Sequence, residues 1–299
     1  MFNRITEAAG NLMQPPPGMA FDFSKPRGEP ALVPANSISW RIFKNPVSLF
    51  VGGVAAVILE LAEPKVRSGV WDHSSFRKDA AMRLRRTGFA AMMTVYGPRS
   101  EAERMIAHVV SMHDRVRGAT PDGAAYHAND PRLLDWVQAT ASFGFVHAYH
   151  HFARHLTSEE RSRAFAEGAQ AAALYGATGA PQSVEAWEAM LEDMRGALEP
   201  SPIVHEFLDL VGKAEVMPRP LRPLQRLLVR AAVEITPFWV RERLGLAGSR
   251  QGLSRAERGF VRMLAHLADR VPLRTAPPAQ ASVRMGLPAD ALYGRAAAS

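Results

Sequence analysis

Residues Met82–Gly118 read MRLRRTGFAAMMTVYGPRSEAERMIAHVVSMHDRVRG. Apolar positions recur at helical spacing on both sides of Gly97-Pro98, so the stretch is two helices joined by a sharp break. In the second helix Ala102, Ile106, Val109, His113 and Val116 follow one another at spacings of four, three, four and three, which puts His113 on the buried stripe. Ser100-x-x-Glu103 predicts a capping box at its start and Gly118 its end. In the first helix Arg83, Arg86 and Thr87 lie three and four apart and share one side.

The same period runs outward from this pair nearly everywhere, and no convincing strand alternation appears. Asn45-Pro46 starts an apolar helix that ends before Glu63-Pro64, and Asp79 opens the helix that reaches Tyr96. Asp130-Pro131 opens a long helix to about Arg154, and Thr157-x-x-Glu160 caps the next, to about Tyr175. Further helices are expected at Ser183–Leu198, Ile203–Lys213 and Leu221–Ile235, and another from the box Ser254-x-x-Glu257 to about Arg270. The fold class is therefore all-α, a single multi-helix domain over residues 38–274. Residues 1–37, rich in proline, read as an extended arm, and residues 275–299 as a Pro/Ala-rich tail.

Composition narrows the function classes. There is no cysteine, which excludes disulfides, thiolate-ligated haem and cysteine zinc sites. The net charge of +7 is carried almost wholly by arginine, with no basic run of five and no aromatics interleaved, so a nucleic-acid partner is not expected. No apolar secretory segment is visible, and the longest apolar stretch, Val47–Leu59, falls short of the roughly 20 residues a membrane span needs. A cytoplasmic location is the expectation.

Two neighbouring helices with Arg/Arg/Thr on one and a histidine on the apolar stripe of the other have the parts for a haem pocket. Burial keeps an imidazole neutral, the form that ligates iron. Arg83 and Arg86 could clamp propionates, and the Thr87 hydroxyl could bond a propionate or the oxygen substrate. Periodicity alone equally describes a core histidine bonded to a backbone carbonyl and a solvated arginine face. Leu84, Met92, Ile106, Val109, Trp136 and Phe145 are candidate pocket walls that core packing would also explain.

A rival constellation is His147, His150, His151 and His155, in which His147/His151 and His151/His155 stand one helical turn apart and could hold a metal. Ala148 follows the first histidine where a zinc hydrolase would carry Glu, and no third ligand has recognisable spacing, so an amphipathic helix end with exposed histidines is the expectation. Asp72-His73-Ser74-Ser75 holds triad residue types without triad geometry; Ser74 or Ser75 reads as a turn or cap residue and His73 as lining the pocket entrance. Nucleophile-elbow, P-loop and dinucleotide motifs are absent from the sequence.

Several linked motifs change the balance. Leu59-Glu60-Leu61-Ala62-Glu63-Pro64, Gly69-Val70-Trp71-Asp72-His73-Ser74-Ser75-Phe76, Arg83-Leu84-Arg85-Arg86-Thr87, Met112-His113-x-x-Val116-x-Gly118, Tyr126-x-Ala128-x-Asp130-Pro131 and Leu134-x-Trp136-Val137 occur in an order that resembles the MpaB/latex-clearing-protein oxygenase family, over about residues 38–250. The resemblance implies a globin-like helical core, one haem b with its iron, and oxidative cleavage of carbon–carbon double bonds in isoprenoid chains. It implies His113 as the proximal iron ligand and Arg83, Arg86 and Thr87 as the distal cluster. Two departures stand out: Glu63-Pro64 replaces the His-Pro of many members, and Arg86 stands where the rubber-cleaving branch has lysine. An arginine stays protonated and cannot serve as a neutral amine ligand, so Arg86 leaves the sixth iron position open. The expected function is a haem-dependent oxygenase using dioxygen or peroxide on an apolar, isoprenoid-like small molecule. The rival is a non-catalytic helical protein of the same fold that binds a partner or haem.

Overall fold

Asn45 and Pro46 start the helix around which the rest is arranged. The Asn45 side chain accepts from the amides of Val47 and Ser48 (3.2 and 3.1 Å), and Pro46 occupies a first-turn position where its missing N–H costs nothing. The structure, a computed structural model, describes residues 16, 18–248 and 251–293. In chain order the helices are α1 (Ile38–Phe43), α2 (Pro46–Ala62), α3 (Pro64–His73), α4 (Ala80–Tyr96), α5 (Arg99–His113), α6 (Pro131–Ala148), α7 (Ser158–Glu167), α8 (Ala169–Tyr175), α9 (Val184–Asp193), α10 (Pro202–Lys213), α11 (Arg222–Ile235), α12 (Phe238–Arg243), α13 (Arg255–Ala268) and α14 (Pro277–Arg284). The all-α expectation holds; a hairpin of β1 (Arg117–Ala119) and β2 (Ala125–His127), three residues each and too short for alternation to register, sits between α5 and α6.

Among the described residues, helices α2 and α6 make the most extensive contact between two elements. They touch backbone to backbone: a Cβ on Gly144 would lie 2.3 Å from the Gly52 carbonyl oxygen, and one on Gly52 would lie 2.7 Å from that of Gly144. Around this crossing Val51, Val54, Ile58, Phe143 and Val146 form one core with Trp136 and Trp187. A second core joins Trp40, Phe89, Met92 and Ile106 to Phe23, Leu32 and Val33 from residues 16–37 and to Ala276 and Ala281 beside and within α14. Arg284 of α14 ties these ends together, donating to the carbonyls of Glu29, Phe23 and Tyr96 at 2.9, 2.6 and 2.6 Å. Three carbonyls satisfy a guanidinium whose burial pulls its pKa down to about 10.

Helix ends follow the sequence with three instructive differences. The boxes Thr157/Glu160 and Ser254/Glu257 both form. The Ser100/Glu103 box does not: α5 starts at Arg99, and the Ser100 amide donates to the Glu29 carboxylate (2.7 Å) while the Arg99 amide donates to the Pro30 carbonyl (2.9 Å). The preceding chain supplies the acceptors a local serine would have offered. Helix α5 also stops at His113, because Val116 and Gly118 are drawn into the hairpin region. Finally, α6 passes at Ala148 into a π-helical turn, Tyr149–Ala153.

Among the described residues no single helix is long and apolar enough to cross a membrane; α2 and α3, long and apolar enough only as a pair, are bent by 111° at their junction.

Candidate functional site

His113 is the last residue of α5, and the hairpin fixes the turn that follows it. Gly118 pairs with Tyr126 across the hairpin, and a Cβ at Gly118 would come within 2.6 Å of the Tyr126 hydroxyl, so only glycine admits the ring there. Gly69 on α3 faces the same ring, with Tyr126 Cε2 at 3.7 Å from the site of its missing Cβ. The Tyr126 hydroxyl reaches His73 Nε2 (3.1 Å). Gly69, His73, Gly118 and Tyr126 are thus explained by how α3 braces the hairpin. Asn129 adds a further tie, donating from Nδ2 to the Val110 carbonyl (3.0 Å) and to Asp114 Oδ1 (2.6 Å) on the turn around His113.

Of the stripe read from the sequence, Ala102 and Ile106 are buried and Val109 and His113 half-buried on α5, while Val116, also half-buried, lies past the end of the helix. His113 Nδ1 is buried and has no hydrogen-bond partner among the described residues. A core histidine bonded to a carbonyl is therefore not what Nδ1 shows. Burial first, then the positive charge of Arg83, holds the His113 pKa below its ordinary value, so the ring is neutral around pH 7.

On α4 the three expected residues sit at different depths. Arg83 is half-buried, with Arg86 near enough to disfavour its charge, whereas Arg86 and Thr87 are exposed. Arg85 turns away and donates to the Glu215 carbonyl (3.4 Å). The Arg83 charge faces a residue that sequence reasoning missed, Glu60 of α2. Burial lifts the Glu60 carboxyl to about 7, opposed by the Arg83 charge and by the Thr140 hydroxyl of α6. Glu60 is half-buried. Its one sequence signal is a carboxylate inside the apolar run Val57-Ile58-Leu59-Glu60-Leu61-Ala62. The α2, α4 and α6 helices converge on Glu60, and α5 brings His113 within the field of Arg83.

Of the suggested walls, Met92, Ile106 and Trp136 are core residues with 2%, 1% and 1% exposure, while Leu84, Val109 and Phe145 are half-buried. Glu63 caps α3 by accepting from the Val66 amide (2.6 Å).

The histidine-rich segment differs from the exposed helix end expected of it. His147, His150 and His151 are half-buried, and only His155 is exposed. The π-helical turn widens the spiral just after His147, so i and i+4 no longer stack as they do in an α-helix. His147 lies on Phe143 (centroids 4.2 Å apart), and burial drives its pKa down to about 3. His150 Nδ1 accepts from the Leu156 amide (3.0 Å). Among the described residues no group of three or more His, Asp or Glu side chains could hold a metal ion. An open cleft of about 610 Å³ lies elsewhere, lined by His205, Asp209 and Arg230, and contains none of these residues.

Residues 40–269 match the family model described as "ER-bound oxygenase mpaB/B'/Rubber oxygenase, catalytic domain". No individual curated protein and no solved structure matches the chain.

Proposed function

The chain belongs to this family of oxygenase catalytic domains, and from that premise we propose that it is a haem b-dependent oxygenase acting on an apolar, isoprenoid-like substrate, with His113 as the protein ligand to iron. The observation that carries the reading is His113 itself: a neutral imidazole at a helix end whose buried Nδ1 has no protein partner, facing the charge of Arg83. These residues fit haem b, which would supply the redox chemistry for adding dioxygen's atoms to an alkene.

The chain's own residues divide the remaining work. His113 offers an imidazole lone pair throughout the range above its lowered pKa. Arg86 and Thr87, exposed on α4, would anchor the carboxylates of the group. Arg83 holds positive charge inside, and Glu60, poised at about 7, can hold or release a proton on its carboxylate near neutral pH. The half-buried apolar side chains Leu84, Val109 and Phe145 favour an apolar substrate over a charged one.

Absorption spectroscopy tests the reading. Protein supplied with haem is expected to take up one haem per chain and show a Soret band. His113→Ala should lose the band while keeping its far-UV helical signal, and added imidazole should restore it. A well-folded wild-type protein that stays colourless in excess haem sinks the proposal.

A further inference from the structure

Helix α13 carries more apolar surface than the other described residues cover. Val261, Leu264 and Ala265 point inward and are buried. On a wheel of about 100° per residue, Ala256, Phe260, Met263 and Leu267 form a second stripe beside them, at spacings of four, three and four along the helix. That stripe faces out: Phe260, Met263 and Leu267 are 45%, 55% and 39% exposed.

The rest of the outer face is basic. Arg255, Arg262 and His266 are exposed and follow one another around the polar arc, and Arg270 is exposed in the turn just past the end of the helix. The carboxylates of this segment are already engaged with the body, Glu257 with Arg230 (2.6 Å) and Asp269 with Lys44 (3.4 Å). By contrast Arg255, Arg262 and Arg270 form no ion pair among the described residues, although Arg262 donates to the His151 carbonyl (3.2 Å). The helix is also rigidly seated, since Asn45 Nδ2 donates to the Ala265 carbonyl (2.9 Å) and Tyr149 donates to Asp269 (3.2 Å).

We propose that the outer face of α13 docks the protein on an anionic phospholipid surface, the Phe260/Met263/Leu267 stripe entering the interface and the arginines meeting the headgroups. An apolar stripe beside a basic arc is what an interfacial helix requires. Charge selects this occupant over a second copy: two such faces would oppose arginine to arginine on chains that each carry a net charge of +7. The proposal does not depend on haem, so it stands or falls separately from the oxygenase reading.

Flotation of the full-length protein with vesicles decides it. Wild type should float with phosphatidylcholine vesicles containing phosphatidylglycerol and at least about tenfold less with phosphatidylcholine alone, with binding weakened by salt. The double variant Phe260→Glu/Met263→Glu should lose binding to background while keeping its far-UV spectrum, since both side chains are exposed. Arg255→Glu/Arg270→Glu should lose most of the preference for anionic vesicles. The proposal is overturned if wild type binds neither vesicle, if the Phe260/Met263 variant floats as well as wild type, or if light scattering shows a dimer that this variant dissolves.

Discussion

The crossing of α2 and α6 and the open end shared by α4 and α5 are built on opposite terms. At the crossing two glycines let the backbones meet, and Val51, Val54, Phe143 and Val146 close around them with almost no accessible surface. At the other end His113 Nδ1 has no partner among the described residues, Arg86 and Thr87 are exposed, and the half-buried Arg83 faces Glu60, whose carboxyl burial lifts to about 7. Close packing supplies the rigidity at the crossing, and the other end leaves charged and polar side chains half-buried or exposed. Such a contrast makes mutations at the crossing questions about folding and mutations at the His113 end questions about the proposed haem site.

The largest stability effect is expected at Gly144. Alanine there would place its Cβ 2.3 Å from the Gly52 carbonyl oxygen, a contact only backbone movement relieves, and should cost about 3 kcal/mol. Gly53 is the control: its added Cβ meets nothing nearer than Phe145 Cε1 at 3.9 Å. Gly53→Ala should therefore be neutral or stabilising by up to about 1 kcal/mol from helix propensity. Urea midpoints of the two variants check the pair; equal losses would mean that the crossing is looser than the backbone distances say. His113→Ala belongs to the other region and should leave the midpoint of the haem-free protein almost unmoved.

One turn beyond Gly144, on the same helix, His147 tests the contrast through pH. Its folded pKa is depressed from 6.5 to about 3, so the folded state resists protonation that the unfolded state accepts. Stability from this group is complete above pH 6.5 and falls as pH drops toward 3, by up to about 1.4 kcal/mol per pH unit. His147→Phe keeps a ring against Phe143 and removes the proton site, and it leaves no lost partner behind because Nε2 is buried without one. Urea midpoints between pH 7 and 5 should slope down less in the variant. Parallel slopes would assign the acid sensitivity to other groups.

Local chemistry made much of this legible. Asn45-Pro46, Asp130-Pro131, Thr157/Glu160 and Ser254/Glu257 act through residues two or three positions away, so their roles are written in adjacent letters. The His113 stripe was legible for the same reason. Glu60 was not, because what makes it unusual is its burial, against the Arg83 charge on α4 and the Thr140 hydroxyl on α6, and packing alone creates those surroundings. The histidine segment misled because a π-helical turn changes which residues stack, and the residues Tyr149–Ala153 carry no proline or glycine to announce it. At α13 the letters were plain, but whether a stripe is buried or left bare depends on what the body can cover.

The smallest effects separate a signature that is used from one that is not, and the unused one starts the helix that carries His113. Ser254 accepts from the Glu257 amide (3.2 Å), so Ser254→Ala should cost about 1 kcal/mol. Ser100 matches the same pattern but makes no cap, so Ser100→Ala should change stability by less than about 0.5 kcal/mol. The acceptor in use is Glu29, whose carboxyl is held below its ordinary pKa chiefly by the Ser100 amide. Glu29→Gln should accordingly loosen the first turn of α5, raising amide exchange at Ser100 with little effect at Ser254. Faster exchange at both helix starts, or at neither, would mean that the preceding chain does not set the start of α5. His113 would then owe its position to the hairpin end of the helix alone.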